Sequence, residues 1–131
     1  MRPGGASGAL LATLLLAACV APPDPWPEGP IPVRLTAVDG PVRAQIVALH
    51  GFNDHKGAFA ELAAFMAGHG VLVRAYDQPG FGEGPGRGFW AGAERLAAAL
   101  IEQIDAARAE HPGVPLFVLG ESMGAAVAVT A

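Results

Sequence analysis

After residue 31 the sequence alternates short apolar runs with segments whose apolar residues recur at helical spacing. The apolar runs predict strands over residues 31–40, 43–51, 71–77 and 114–120, and the periodic segments predict helices over residues 57–70, 89–113 and from 121 onward. The order β-β-α-β-α-β-α favours parallel strands that are joined by right-handed helical crossovers. The chain is therefore predicted to be an α/β protein with a doubly wound, mostly parallel sheet and helices on both faces.

Charge and cysteine content exclude several functional classes. The 131 residues suit one domain, and 12 acidic against 8 basic residues give a net charge of −4 without any basic run. A nucleic-acid partner is therefore not expected. The single cysteine excludes an internal disulfide, and the sequence predicts no metal site and no cofactor.

The N-terminal residues have the pattern of an export signal. Arg2 precedes an apolar run over residues 9–18 that is too short to span a bilayer, and the run ends at Cys19. The sequence Leu-Ala-Ala-Cys resembles a bacterial lipobox, which predicts a lipoprotein signal peptide over residues 1–18 and acylation of Cys19. The alternative is an ordinary signal peptide that ends near an unrelated cysteine.

The lipoprotein interpretation predicts the location of the protein. Acylated Cys19 would anchor it to a membrane of the bacterial cell envelope, facing the periplasm, and Val20 in place of aspartate favours the outer membrane. Residues 19–30 are rich in proline, which predicts an extended tether. The folded domain is expected to begin near Ile31.

A Gly-x-Ser-x-Gly motif, Gly120-Glu121-Ser122-Met123-Gly124, follows the last predicted strand and begins the last predicted helix. This context is typical of a nucleophile elbow, the tight turn that exposes a serine hydroxyl above the carboxyl end of a sheet. Ser122 is the predicted nucleophile, Gly120 and Gly124 allow the tight turn, and the Met123 N–H is a predicted oxyanion donor. The alternative is a chance match, because the chain has 18 glycines.

The loop after the second predicted strand, His50-Gly51-Phe52, is the expected source of the second oxyanion donor, the Phe52 N–H. Gly51 permits a sharp turn, and His50 is interpreted as a structural histidine because the base in this architecture follows the serine. Asp77 is interpreted as a strand-end residue that holds the glycine-rich turn after it, rather than as a triad acid. The other histidines are expected at helix ends or in solvent: His55, His69 and His111.

Three segments, ALHGFND, VRAYDQPGFGEGPGRG and HPGVPLFVLGESMGAAVA, resemble the α/β-hydrolases of the monoacylglycerol lipase and lysophospholipase group, also described as serine aminopeptidase-like. The resemblance runs from about Val38 to Ala131. It implies an eight-stranded sheet, a Ser-Asp-His triad and hydrolysis of esters, often monoacylglycerols or lysophospholipids. It matches Ser122 to the nucleophile, Phe52 and Met123 to the oxyanion donors, and His50-Gly51 to a structural His-Gly pair. The chain departs from the family pattern at Pro79, Gly84 and Ala125.

No residue of the chain matches the family's triad acid or base. Residues 31–131 are therefore expected to be the N-terminal part of an α/β-hydrolase domain in a protein of roughly 300 residues, and inactive alone. In these 131 residues alone, the strand over residues 114–120 would form an exposed apolar edge, whereas the resemblance implies a central strand.

Three functions follow from the sequence. The leading interpretation is a serine hydrolase that cleaves a lipid-like ester and reaches the membrane through Cys19. The alternatives are a hydrolase of small esters, thioesters or peptides, and a non-catalytic lipoprotein that keeps the fold as a binding scaffold.

Overall fold

A computed structural model describes residues 26–131. The predicted signal peptide, the predicted acylation site Cys19 and the first part of the predicted tether lie outside the described residues. Within residues 26–131, no helix combines the length and the apolar character needed to cross a bilayer.

The described residues form four strands and three α-helices in the predicted order. The strands are β1 (Val33–Leu35), β2 (Ala44–Leu49), β3 (Val71–Tyr76) and β4 (Leu116–Gly120). The helices are α1 (Ala60–Ala67), α2 (Ala93–Glu110) and α3 (Met123–Thr130), and a short 3-10 turn, Lys56–Phe59, leads into α1. The first strand is much shorter than predicted, because only three of its residues pair with a neighbouring strand.

The sheet has the strand order β1-β3-β2-β4. β2 pairs in parallel with both β3 and β4, which confirms the mostly parallel sheet. The expectation of a parallel strand is wrong for β1, which runs antiparallel to β3. Residues 36–43, which join β1 to β2, are too few for the helical crossover that a parallel arrangement requires.

Helices cover both faces of the sheet, as predicted. On one face, Val47 and Leu49 of β2 pack with Leu96, Leu100 and Val127 of α2 and α3. On the other face, the core is formed by strand residues and by residues of the 3-10 turn and α1: Ala48, Val73, Ala75, Phe59 and Ala63. Adjacent residues of β2 thus enter opposite core clusters, as the alternation of side chains along a strand requires.

β4 pairs only with β2 among the described strands and so lies at an outer edge of the sheet. Its apolar residues Phe117, Val118 and Leu119 are exposed. The expectation of an exposed apolar edge is therefore confirmed for this strand. The edge matters for the site because β4 ends at Gly120, directly before Ser122.

Candidate active site

Ser122 occupies the turn between β4 and α3. Its backbone has φ 49° and ψ −112°, a conformation that is costly for any residue with a side chain. The residue is exposed, and its hydroxyl does not cap α3. The turn therefore holds the Ser122 side chain away from the helix and open to solvent, at the carboxyl ends of the parallel strands.

The two glycines of the motif are required by close contacts. A Cβ atom at Gly120 would lie 2.5 Å from the backbone nitrogen of Ala125. A Cβ atom at Gly124 would lie closer than 3.0 Å to the carbonyl oxygens of Leu49 and His50. The first turn of α3 thus packs directly on the backbone at the end of β2, at a distance that only glycine permits.

The ends of β2 and β4 bring the two predicted oxyanion segments together. Leu49 is the register partner of Gly120, and the Glu121 N–H donates to the Leu49 carbonyl at 3.0 Å. Beyond that bond, a Cβ atom at Gly51 would lie 3.7 Å from the Cβ atom of Ser122. The predicted nucleophile and the loop that follows β2 are therefore in direct proximity.

Two backbone N–H groups remain available near Ser122. Within residues 26–131, neither the Phe52 N–H nor the Met123 N–H donates a hydrogen bond. The first N–H groups of a helix have no carbonyl partner in the helix and carry the positive end of its dipole. Met123 begins α3. Both groups have the chemistry needed to stabilise a negatively charged oxygen.

His50 is completely buried, and both of its ring nitrogens are hydrogen-bonded. Nδ1 lies 2.8 Å from the Gly51 carbonyl oxygen, and Nε2 accepts from the Gln78 N–H at 3.1 Å. This pattern requires a neutral imidazole with its proton on Nδ1. The Gln78 side-chain amide also donates to the His50 carbonyl at 2.7 Å. These bonds fit the structural interpretation of His50, because neither nitrogen is available to take a proton from Ser122.

Asp77 is completely buried, and its side chain is hydrogen-bonded to Lys56 and Glu83. Its carboxylate accepts from the Lys56 N–H at 2.7 Å, from the Lys56 ammonium at 2.6 Å and from the Glu83 N–H at 2.9 Å. A Cβ atom at Gly82 would collide with this carboxylate. These contacts fit the interpretation that Asp77 holds the glycine-rich turn. Sequence reasoning missed Lys56 and Gln78, because their partners lie 21 and 28 residues away and no local pattern connects them.

The ion pair between Lys56 and Asp77 shifts the pKa values of both side chains. Burial alone would raise the pKa of Asp77, but the Lys56 ammonium and the two backbone donors outweigh it and hold this pKa below its ordinary value. Hydrogen bonds to Asp77 and Glu83 raise the pKa of Lys56.

Acid should therefore destabilise the fold through Asp77. Its lowered pKa contributes stability that is complete above about pH 4 and is lost as the pH falls through the folded-state value. We expect Lys56→Met to lower the free energy of unfolding at pH 7 by about 3 kcal/mol, because it leaves a buried carboxylate without its counter-charge. The loss of stability between pH 5 and pH 2 should also shrink. Urea unfolding of the full-length protein measures both, with Lys56→Arg as the charge-preserving control. An unchanged pH dependence in Lys56→Met would contradict this role.

The remaining histidines lie at helix ends, as predicted, and His55 also lines the cavity beside Phe52. His55 caps the 3-10 turn through the Gly57 N–H, His69 bonds the Phe65 carbonyl at the end of α1, and His111 follows the last residue of α2. Residues 26–131 contain no group of three or more His, Cys, Asp or Glu side chains that could hold a metal ion.

A cavity of about 390 Å³ adjoins the loop that contains Phe52. Phe52 and Phe81 meet edge to face at 5.5 Å on its wall, and Phe81 also contacts the His50 ring. The glycine-rich segment after β3 contributes Arg87, Phe89 and Trp90 to the lining. The lining thus mixes aromatic residues with polar and charged ones, and it shares Phe52 with the candidate site at Ser122.

The chain is similar to known hydrolases over most of the described residues. A family model described as "Serine aminopeptidase, S33" matches residues 40–131. Monoglyceride lipase of Homo sapiens is 34% identical over 98 residues, covering 69% of this chain and 30% of that protein. Monoacylglycerol lipase of Mycolicibacterium smegmatis is 30% identical over 89 residues, covering 65% of this chain and 31% of that protein.

Solved structures show the same architecture. The monoacylglycerol lipase of Paleococcus ferrophilus matches with a TM-score of 0.63 and 26% identity, over 78% of this chain and 37% of that one. A soluble variant of the Saccharomyces cerevisiae monoglyceride lipase matches with a TM-score of 0.67 at 21% identity, over 82% of this chain and 40% of that one. The chain spans about a third of the length of the curated relatives it matches. It belongs to the serine aminopeptidase S33 family of α/β-hydrolases.

Proposed function

We propose that the full-length protein is a serine hydrolase that cleaves carboxylic esters of lipids through a covalent acyl-enzyme. The observation that carries this proposal is the strained backbone of Ser122, which exposes the hydroxyl between the loop containing Phe52 and the first residue of α3. Backbone strain persists where the surroundings enforce it, and such sites are often functional. The contacts of Gly51 and Gly124 supply that enforcement.

In this mechanism the Ser122 Oγ forms a bond to the ester carbonyl carbon while a general base takes its proton. The Phe52 and Met123 N–H groups stabilise the resulting oxyanion, and the alcohol leaves with a proton as the C–O bond breaks. Water then attacks the acyl-serine and releases the fatty acid. Ser122 and the enzyme are regenerated without any cofactor.

The base and its acid partner must be other groups than the buried ones near the turn. Both ring nitrogens of His50 are already bonded, and Asp77 is bound by Lys56. We propose that the triad histidine and acid belong to parts of the full-length protein outside these 131 residues. This agrees with a chain that spans about a third of its relatives.

The proposed substrate class is a long-chain monoacyl lipid, either a monoacylglycerol or a lysophospholipid. The aromatic residues in the lining of the cavity beside Phe52 support an apolar acyl group, and several relatives are described as monoglyceride lipases. The family description as a serine aminopeptidase favours one alternative, a peptide hydrolase with the same machinery. We further propose that Cys19 is acylated and holds the enzyme at the bacterial cell envelope, the outer membrane being favoured.

A substrate panel tests the proposed class. We expect kcat/KM of the full-length protein to rise at least tenfold from butyryl to long-chain monoacylglycerols, because each added methylene can leave water. Aminoacyl arylamides should be cleaved far more slowly than any ester. Fatty acid or arylamine release measures both reactions, and lysophospholipids of equal chain length show how far the headgroup matters. A faster arylamide reaction would favour the peptidase, and activity independent of chain length would contradict the lipid substrate.

A further inference from the structure

We propose that Phe52, Phe89 and Trp90 form a membrane-docking surface, the aromatic rim, which inserts into the lipid bilayer that holds the acylated Cys19. This inference rests on the lipid anchor of the proposed function. It adds a second, non-covalent contact with the membrane, made by the face that carries the candidate active site. The occupant of the surface is a phospholipid bilayer.

The aromatic rim is unusually exposed for three large aromatic residues. The exposed fractions are 69% for Phe52, 72% for Phe89 and 60% for Trp90. All three line the same cavity, so they form one patch rather than scattered exposed residues. Contiguous exposed apolar surface marks contact with a partner or a membrane. Tryptophan in particular favours the interface between lipid and water.

Contacts of Trp26 connect the tether to the segment that carries this rim. The Trp26 ring packs so closely on Gly86 that a Cβ atom there would lie closer than 3.0 Å to it. The guanidinium of Arg95 stacks on the ring at 5.1 Å, which fixes Trp26 against α2 as well. The Phe89 N–H donates to the Gly86 carbonyl at 3.0 Å. The tether therefore joins the folded domain within the same short segment that presents Phe89 and Trp90.

Covalent geometry limits how far this point can lie from the membrane. Trp26 is seven positions after Cys19, and a fully extended chain spans at most ~3.6 Å per position, or about 25 Å in all. Even a compact unit of about 100 residues has a radius of gyration of roughly 13 Å and is therefore more than about 30 Å across, and a longer full-length domain is larger still. The anchor therefore cannot present the opposite side of the domain to the bilayer. It keeps the face near Trp26, and with it the aromatic rim, beside the lipid.

The charges around the rim indicate insertion rather than electrostatic attraction. Arg87 and Asp54 both line the cavity, and their opposite charges offset each other. The 131 residues are acidic, with a net charge of −4. Binding should therefore occur on neutral phosphatidylcholine and gain little from anionic lipid. A monoacyl lipid could then pass from the bilayer into the adjoining cavity without crossing water.

Vesicle flotation tests the docking surface independently of catalysis. The probe is a phosphatidylcholine vesicle, and the protein is the full-length chain with Cys19→Ser, so that no acyl chain contributes. We expect Phe89→Ala with Trp90→Ala to weaken partitioning at least about tenfold, because two aromatic side chains no longer leave water. Phe65→Ala is the matched control, since Phe65 is 65% exposed but lies on α1. It should leave partitioning unchanged.

Fluorescence quenching tests membrane insertion of Trp90 without relying on correct folding of the double variant. The difference in emission between the parent and Trp90→Phe isolates Trp90, and brominated phosphatidylcholine should quench that difference signal. Absence of quenching, equal effects of the Phe65 and rim variants, or binding only to anionic vesicles would each overturn the docking surface. Labelling of Cys19 with radioactive palmitate in cells tests the anchor separately. A labelled protein whose rim does not bind would refute the rim and leave the proposed function intact.

Discussion

Ser122→Ala in the full-length protein is expected to lower kcat/KM for ester hydrolysis by about 10⁴-fold or more. The substitution removes the only atom that is proposed to form the acyl-enzyme and leaves only oxyanion stabilisation and substrate binding, which give a small residual rate. It should hardly change stability, because the Ser122 hydroxyl makes no helix-capping hydrogen bond. A large kinetic loss without a change in unfolding free energy is therefore the expected signature of a nucleophile.

A fluorophosphonate probe gives a second measurement of the same residue. The probe should label the wild-type protein once, at the peptide that contains Ser122, and should not label Ser122→Ala. Thr130→Val is a suitable control, since it removes the hydroxyl of another exposed residue, at the far end of α3. Labelling of Ser122→Ala would assign the nucleophile to a different residue. A wild-type protein that is neither labelled nor active would favour the non-catalytic scaffold.

Gly124→Ala is expected to lower the free energy of unfolding by about 3 kcal/mol, the upper part of the range for overpacking a close contact. In a helix the exchange of glycine for alanine normally stabilises by up to about 1 kcal/mol, so the expected sign is reversed. The cause is the collision of the new Cβ atom with the carbonyl oxygens of Leu49 and His50. Any relief must move the first turn of α3, and with it Ser122 and the Met123 N–H.

Activity should fall with Gly124→Ala by about 100-fold in the molecules that remain folded, since displacements near 1 Å cost that much. Gly68→Ala is the matched control: Gly68 has φ −62°, and its added Cβ would meet only ordinary contact at 3.5 Å. Denaturant unfolding and kcat measurements on both variants separate the two effects. A Gly124→Ala protein as stable and active as Gly68→Ala would disprove the close packing of α3 on β2.

The elements that were predicted correctly are those determined by residues close together in the sequence. Buried parallel strands are mostly apolar, as in β3, where Arg74 is the one charged residue, and a strand followed by Gly-x-Ser-x-Gly and a small-residue helix has few alternatives. The antiparallel direction of β1 was missed, although the short connection over residues 36–43 leaves no room for a helical crossover. The partners of His50 and Asp77 were beyond prediction, since Gln78 and Lys56 are brought to them by the sheet.

The packing of Trp26 on Gly86 is another contact between distant residues that the sequence did not predict. Proline content predicted an extended tether up to residue 30, and residues 26–30 indeed have no regular secondary structure. The aromatic contact, however, depends on a glycine 60 residues later whose φ is +69°. Gly86 has a positive φ and no Cβ atom, which leaves space for the indole ring, and amino-acid composition cannot predict such a contact.

The position of Leu49 has a consequence for how the substrate preference of the proposed hydrolase could evolve. Its carbonyl accepts from the Glu121 N–H and meets Gly124, while the loop with Phe52 continues from the same residue. The backbone of Leu49, inside the sheet, thus positions both proposed oxyanion donors. Residues 87–90 line the cavity but have no hydrogen bond or ring contact with this part of the described structure, so mutations there can alter substrate preference while leaving the reactive geometry intact. Substrate preference could therefore change through mutations in the cavity lining, while Ser122 and the two proposed oxyanion donors keep their positions.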